Sequence, residues 1–205
     1  MPESPLYRNA GPVALIAGGA LAVVDLGRLV LTNPADKIAQ MTDPAFRVFN
    51  GLYFVTFIGL VVALVAVYGK TAGRTGRFGL AAFLAALVGT MVQGGNMWFD
   101  GFAAPWLAEV APQVFTAEKT TILVIGALSA YLLFVLGWVL FGIAILRSRV
   151  APVVVGLALV AGGVLGYSSG LPPYGVPIGL AVAALGGWLI HTDRAAVRAP
   201  RVTAG

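Results

Sequence analysis

The chain has 205 residues, of which 59% are hydrophobic and only 10% are charged, and its mean hydropathy is +0.92. A soluble domain carries about a quarter of its residues as charged side chains, so this composition excludes an ordinary soluble protein. The formal net charge of +5 comes from basic residues in short gaps between apolar runs. That pattern indicates membrane topology and gives no support for nucleic-acid binding.

The chain contains no cysteine and a single histidine, His191, at the end of the last apolar run. The lack of cysteine excludes disulfides, thiolate metal sites and cysteine nucleophiles. One histidine excludes a bis-histidine haem, and neither a phosphate loop nor a dinucleotide fingerprint is present. We therefore expect neither a metal ion nor a cofactor.

Apolar runs long enough to cross a bilayer recur along the chain, since about 20 helical residues span the hydrocarbon core. The runs are apolar on every side, which favours helices over barrel strands. Two prolines and a glycine within 171–175 divide the last uncharged stretch into two. The sequence thus predicts an all-α, polytopic transmembrane helix bundle, a single domain over residues 1–205. Its six spans are about 11–31, 51–69, 78–99, 120–146, 150–170 and 176–190.

The charges of the gaps between the spans predict the orientation. Alternate gaps hold basic residues without an acid, and these are Lys70, Arg74, Arg77, Arg147 and Arg149. The other gaps are balanced, acidic or uncharged. The positive-inside rule then places both termini, including a tail over 191–205, on the cytoplasmic side of the plasma membrane. Because the first apolar run continues to a full span, we expect it to be retained and not cleaved as a signal peptide.

The gap that follows the third span differs from the others. Its apolar side chains over about 102–115 fall broadly on one face, while Glu109 and Gln113 oppose them. Pro105 favours a helix start, and Pro112 favours a bend or an end. We expect an amphipathic segment on the outer surface, with Trp106 at the depth of the lipid headgroups.

Two charges interrupt the first span. Asp25 and Arg28 are three residues apart and therefore share one helical face in its outer third. A charge within the hydrocarbon region costs several kcal/mol, so it persists where it has a partner or a function. The pair is either a self-neutralising ion pair near the interface or one side of a pocket open to the outside.

The third span supplies a second polar stripe at the same depth. Gln93, Asn96 and Asp100 are spaced i, i+3 and i+7, and the amphipathic segment follows directly above them. Together the two stripes predict an outward-facing polar pocket with a lid. The candidate acid/base residues are Asp25 and Asp100, and the candidate binding residues are Arg28, Gln93, Asn96, Trp98, Trp106 and Glu109.

Further polar side chains are expected at the same outer level: Asn50, Tyr53, Lys119, Thr120, Thr121, Tyr167, Ser168, Ser169 and Tyr174. The second and fourth spans also align at an offset of 78, which pairs Tyr53 with Tyr131. This alignment indicates either a duplicated hairpin or the chance similarity of two helices rich in leucine, valine and glycine.

Three features of the sequence are typical of one group of membrane proteins. They are the segments Gly94–Asp100 and Ala104–Glu109, the spans rich in alanine, glycine and valine, and the use of ten arginines to three lysines. The chain resembles the uncharacterised six-helix integral membrane proteins that are frequent in high-GC actinobacteria. The resemblance implies a six-helix membrane fold, and it implies no activity and no catalytic residues.

Three functions are consistent with these observations. The first is a pocket that binds a small amphiphilic or lipid-soluble molecule. Such a pocket is also consistent with an enzyme that acts on this molecule by acid/base catalysis. The second is a transporter or channel for a small solute or ion. The inner halves of the spans contain almost no polar residues, which argues against this function. The third is an accessory subunit that docks to a membrane-protein partner or to a second copy through its glycine-rich faces.

Overall fold

The computed structural model describes residues 4–32 and 37–198. Within this part of the chain every regular element is helical and no strand occurs, so the predicted all-α class is confirmed. The α-helices are α1 (Pro5–Arg8), α2 (Ala10–Leu31), α3 (Lys37–Thr42), α4 (Pro44–Trp98), α5 (Ala104–Val110), α6 (Thr121–Ser148), α7 (Val153–Leu165) and α8 (Gly175–Arg198). Residues 199–205 of the predicted tail lie outside the described residues.

Four described segments are long and apolar enough to cross a membrane: Ala10–Leu31, Pro44–Val110, Thr121–Ser148 and Gly175–Ala195. The fifth predicted span, 150–170, contains the shorter α7, because helical structure begins only after Pro152 and ends before the turns at 166–174. The length and composition of these helices are those of a membrane-embedded bundle.

Helix α4 is a hairpin of two arms that meet at Gly76. Gly76 has φ +61° and ψ −160°, a conformation outside the helical region that glycine adopts without a steric penalty. The arms before and after Gly76 fold back on each other, since the rings of Tyr68 and Phe83 stack with their centroids 4.2 Å apart. The sequence predicts two spans here, and the two arms coincide with them.

The helices form one bundle with an apolar interior. Helix α2 packs along α8 and along α4, α4 packs along α6, and α7 lies against α6 and α8. Aromatic side chains fill the middle of the bundle, where Phe134 contacts Phe57 and Trp138 with ring centroids 5.7 and 6.3 Å apart. The indole NH of Trp138 donates to the Thr90 hydroxyl at 3.1 Å, so its one polar atom is satisfied.

A short cap covers one end of the bundle. It contains α3, a π-helical turn at Phe99–Ala103, α5 and a 3-10 turn at Pro112–Phe115. Small and apolar residues hold it together, because Ala104 and Ala108 pack with Met41 and Phe46 in a separate hydrophobic cluster. In the predicted amphipathic segment Trp106 is 61% exposed, whereas Phe102, 53% exposed, lies against Phe54 of α4.

The outer surface of the bundle is apolar over most of its length. Leucine, isoleucine and valine side chains are exposed on every long helix, and Ile122 at the start of α6 is 80% exposed. Soluble monomers rarely expose contiguous apolar patches beyond a few hundred Å². This surface therefore suits a lipid environment.

We expect Gly18→Ala to destabilise the bundle, because a Cβ at Gly18 would lie 2.4 Å from the Gly179 carbonyl oxygen across the α2–α8 contact. Overpacking of this kind costs about 1–3 kcal/mol of unfolding free energy. The matched control is Gly19→Ala, since a Cβ at the adjacent Gly19 would meet nothing within 4 Å. Thermal unfolding in detergent measures both, and equal midpoints for the two variants would contradict this packing.

Candidate functional site

Buried polar side chains gather at the capped end of the bundle. We call them the polar cluster, and its members are Asp25, Arg28, Asn50, Tyr53, Gln93 and Ser169, of which all but Arg28 are fully buried. They meet there because α2 and the second arm of α4 end at this level and the first arm begins there. The structure thus brings together the two polar stripes that the sequence predicts.

Asp25 is fully engaged in hydrogen bonds. The Tyr53 hydroxyl donates to Oδ1, and the backbone amides of Gly175 and Val176 donate to Oδ2 at 3.1 and 3.2 Å. These two amides belong to the first turn of α8, where the backbone N–H groups have no carbonyl partner within the helix. Asp25 therefore caps α8 from α2, and its negative charge lies at the positive end of the helix dipole.

Arg28 holds the loop over residues 166–174, which connects α7 to α8. Its guanidinium Nη1 donates to the Gly170 carbonyl, and its Cζ lies 4.8 Å from the centroid of the Phe46 ring and 5.6 Å from that of Tyr53. Contacts of a cation with aromatic faces are strongest where water is excluded. Neither of the two salt bridges among the described residues joins Arg28 to Asp25. Asp25 and Arg28 thus act on each other electrostatically without a direct salt bridge, and each attaches to a different part of the α7–α8 connection.

Gln93 provides a third attachment of the same loop. Its Nε2 donates to the Ser169 carbonyl, and its Oε1 accepts from the Asn96 side chain at 3.2 Å. Outside the bundle the loop carries Tyr167 and Tyr174, whose ring centroids are 4.9 Å apart. The hydrogen bond that the Tyr174 hydroxyl donates to Tyr167 raises the pKa of Tyr174, because it is lost when Tyr174 ionises.

Asn50 is the least satisfied member of the polar cluster. Both polar atoms of its amide are buried without a hydrogen-bond partner, and so is the Ser169 hydroxyl. The π-helical turn packs directly on the Asn50 backbone, since a Cβ at Gly101 would lie 3.1 Å from the Asn50 carbonyl carbon. Unpaired buried polar atoms in native proteins usually bond to ordered water or to a ligand.

Two further residues stand at the edge of the cluster. Asp100, in the π-helical turn, is partly buried, and Asp100 and Asp25 both act electrostatically on Arg28. Tyr131 of α6 is also partly buried and interacts with Gln93 and Asp100. The sequence analysis did not choose Tyr131 as a site residue, although its alignment with Tyr53 at an offset of 78 was the signal that could have identified it.

The remaining predicted site residues lie in or beside the cap. Glu109 forms an ion pair with Arg47, which joins α5 to the start of α4. Trp106 is exposed on the surface of the cap. Trp98 is half-exposed and packs against Phe102, whose ring contacts Phe54.

An apolar groove lies between the two arms of α4, and we call it the hairpin groove. Its volume is about 400 Å³, within the range of about 300–1,000 Å³ that is typical of small-molecule sites. It is lined by Phe54, Phe57, Ile58, Val61, Thr90, Met91, Gly94, Gly95 and Trp98. Since Trp98 is the last residue of α4, the groove ends at the same level as the polar cluster.

The described residues contain no group of three or more histidine, aspartate and glutamate side chains that could hold a metal ion. No protein-family model, curated protein or solved structure matches the chain. The resemblance to actinobacterial six-helix proteins therefore stays a prediction, and functional inference rests on the geometry of the polar cluster and the hairpin groove.

The hydrogen bond between Tyr53 and Asp25 can be tested by a double-mutant cycle. We expect Asp25→Asn to lower the unfolding free energy by about 2 kcal/mol and Tyr53→Phe by about 1 kcal/mol, with a coupling of about 1 kcal/mol between them. Chemical unfolding in detergent measures the three variants. As a control, Asp25→Asn and Thr71→Ala should be additive, because Thr71 bonds to its own helix at the opposite end. Additivity of the Asp25 and Tyr53 variants would contradict the assignment.

Proposed function

We propose that the protein is a six-span membrane protein, with both termini cytoplasmic, that binds a small amphiphilic or lipid-soluble molecule at its capped, outward-facing end. The observation that carries the proposal is the hairpin groove, an apolar recess on the lipid-facing side that ends beside a buried polar cluster. A molecule dissolved in the membrane can place its hydrocarbon part in the hairpin groove and its polar group beside the polar cluster.

The six spans are α2, the two arms of α4, α6, α7 and α8. The reversal at Gly76 supports counting α4 twice, because it turns the chain back towards the end at which α4 began. Helix α7 has 13 residues, and the turns of the α7–α8 loop add the length that a span needs. The basic residues at the Gly76 turn and at the α6–α7 turn support a cytoplasmic position for that end.

The groove supplies the apolar part of the proposed site. Its aromatic and aliphatic lining offers dispersion contacts to a hydrocarbon chain, and Gly94 and Gly95 leave room between the arms. Trp98 marks its outer end, where an indole ring is favoured at the level of the lipid headgroups. The polar group of the ligand then lies near Asn96 and Asp100, which are partly buried at the same level.

The two candidate acids have different surroundings. Both oxygens of Asp25 accept hydrogen bonds from the protein, which supports a positioning role for Asp25 in holding the α7–α8 loop. Asp100 lies at the edge of the cluster beside Tyr131 and Arg28, where a ligand's polar group approaches it more directly. If the protein is an acid/base enzyme, Asp100 is the better candidate for proton transfer.

The apolar interior of the bundle favours ligand binding over transport. Between the polar cluster and the Lys70–Asp193 ion pair at the other end, the described interior is filled by side chains such as Phe57, Leu60 and Trp138. An aqueous path needs polar groups along its length. A transporter, or an accessory subunit of a larger complex, therefore remains the alternative function.

The absence of cysteine allows the topology to be tested with single-cysteine variants. Six spans place Gly73, near the α4 turn, and Lys119, before α6, on opposite sides of the membrane. We expect a membrane-impermeant maleimide to label Lys119→Cys in intact cells and to label Gly73→Cys only after permeabilisation. Equal labelling of both variants in intact cells would exclude the six-span arrangement.

The hairpin groove can be tested by filling it. A Cβ at Gly95 meets nothing within 4 Å, so Gly95→Phe places a ring in the groove without a backbone clash. We expect a diazirine-bearing long-chain alcohol to label peptides with Ile58 or Met91 in the wild-type protein, and this labelling to fall severalfold in Gly95→Phe. Mass spectrometry of the photolabelled peptides is the measurement.

The control for this experiment is Gly126→Phe, which adds the same ring at an exposed glycine of α6 that also has open space. It should leave the labelling of the groove peptides unchanged. If Gly95→Phe is labelled there as strongly as the wild-type protein, the groove does not bind such molecules.

A further inference from the structure

A second surface, at the end opposite the polar cluster, is strongly basic. We call it the arginine patch, and its members are Arg74, Arg77, Arg147 and Arg149, all of them exposed. Two contacts bring its two turns together: Arg74 donates to the Arg149 carbonyl at 3.3 Å, and the Arg147 guanidinium lies 4.9 Å from the centroid of the Phe78 ring. The patch is thus one surface formed by the α4 turn and the α6–α7 turn.

No acidic side chain in the described part of the chain forms a salt bridge with the patch. The sequence has no aspartate or glutamate between Asp43 and Asp100, or between Glu118 and Asp193, so the elements that form the patch contain no acid. Asp193, the acid at this end of the described bundle, is held by Lys70. Neither salt bridge among the described residues includes a member of the patch.

The surroundings of the patch are apolar on the side of the bundle. Val153 and Val154, in the first turn of α7, are 66% and 70% exposed, and Phe78 and Leu80 are exposed beside them at the start of the second arm of α4. A ligand that matches this surface has an anionic head and hydrocarbon chains.

We propose that the arginine patch is a binding site for an anionic phospholipid, with the phosphate at Arg77 and Arg149 and the acyl chains along the exposed side chains of α7 and α4. Guanidinium groups bind phosphate oxygens through two parallel hydrogen bonds, which gives them preference over a zwitterionic headgroup whose own cation repels them. No hydrogen bond in the described part of the chain uses the guanidinium groups of Arg77 or Arg149. This site goes beyond the proposed function and does not depend on a ligand in the hairpin groove.

The test is native mass spectrometry of the full chain in mild detergent with added phosphatidylglycerol or phosphatidylcholine of the same acyl chains. We expect the wild-type protein to retain phosphatidylglycerol in preference to phosphatidylcholine. The double variant Arg77→Gln/Arg149→Gln should bind it more weakly by about fivefold for each charge removed, the effect expected of one basic residue at a membrane surface.

Two matched variants separate the patch from general electrostatics and from misfolding. Arg77→Lys/Arg149→Lys keeps both charges but loses the paired guanidinium hydrogen bonds, so its preference should lie between those of the wild-type protein and the glutamine double variant. Lys119→Gln removes a charge at the opposite end and should leave the preference unchanged. An unchanged preference in the glutamine double variant, or an equal loss in Lys119→Gln, would overturn the proposal. Displacement of phosphatidylglycerol by an equal concentration of inorganic phosphate would overturn the lipid as its ligand.

Discussion

Lipid offers no hydrogen bonds, so a charged side chain inside the bundle must find every partner within the protein. Asp25 and Arg28 meet this requirement by binding the connection between α7 and α8 from one helix of the bundle. The last helix pair is therefore fixed by polar contacts at one end, while close packing of small residues, such as Gly18 against Gly179, fixes α8 along its length. Removing the two charges would leave the α7–α8 loop without two of its attachments.

The same constraint divides the described part of the molecule into layers of different chemistry. The capped end contains the polar cluster and the outer end of the hairpin groove, the middle is aromatic and aliphatic, and the opposite end carries the arginine patch. In the described part of the chain the middle layer is apolar, which favours ligand binding over an aqueous path between the two ends. The two proposed ligands also differ in chemistry, because the groove suits a hydrocarbon chain and the patch suits an anionic head.

Hydrophobic run length was sufficient to predict the helical class, and residue spacing was sufficient to place Asp25 and Arg28 on one face. The partners of that face were not predictable, because Gly175 and Val176 contribute backbone amides that leave no sequence signal. Tyr131 was missed because its one sequence signal, the alignment with Tyr53 at an offset of 78, does not by itself place the two side chains at one site.

The binding of a lipid-soluble molecule at the capped end is the central claim, and the most direct test is native mass spectrometry of the full chain purified from its own membranes in mild detergent. The account predicts an amphiphilic molecule that the wild-type chain retains and Gly95→Phe does not, which separates the hairpin groove from the arginine patch. That molecule can then be extracted and identified. A chain that carries no such molecule, or one that is isolated with a stoichiometric protein partner in its place, would contradict it.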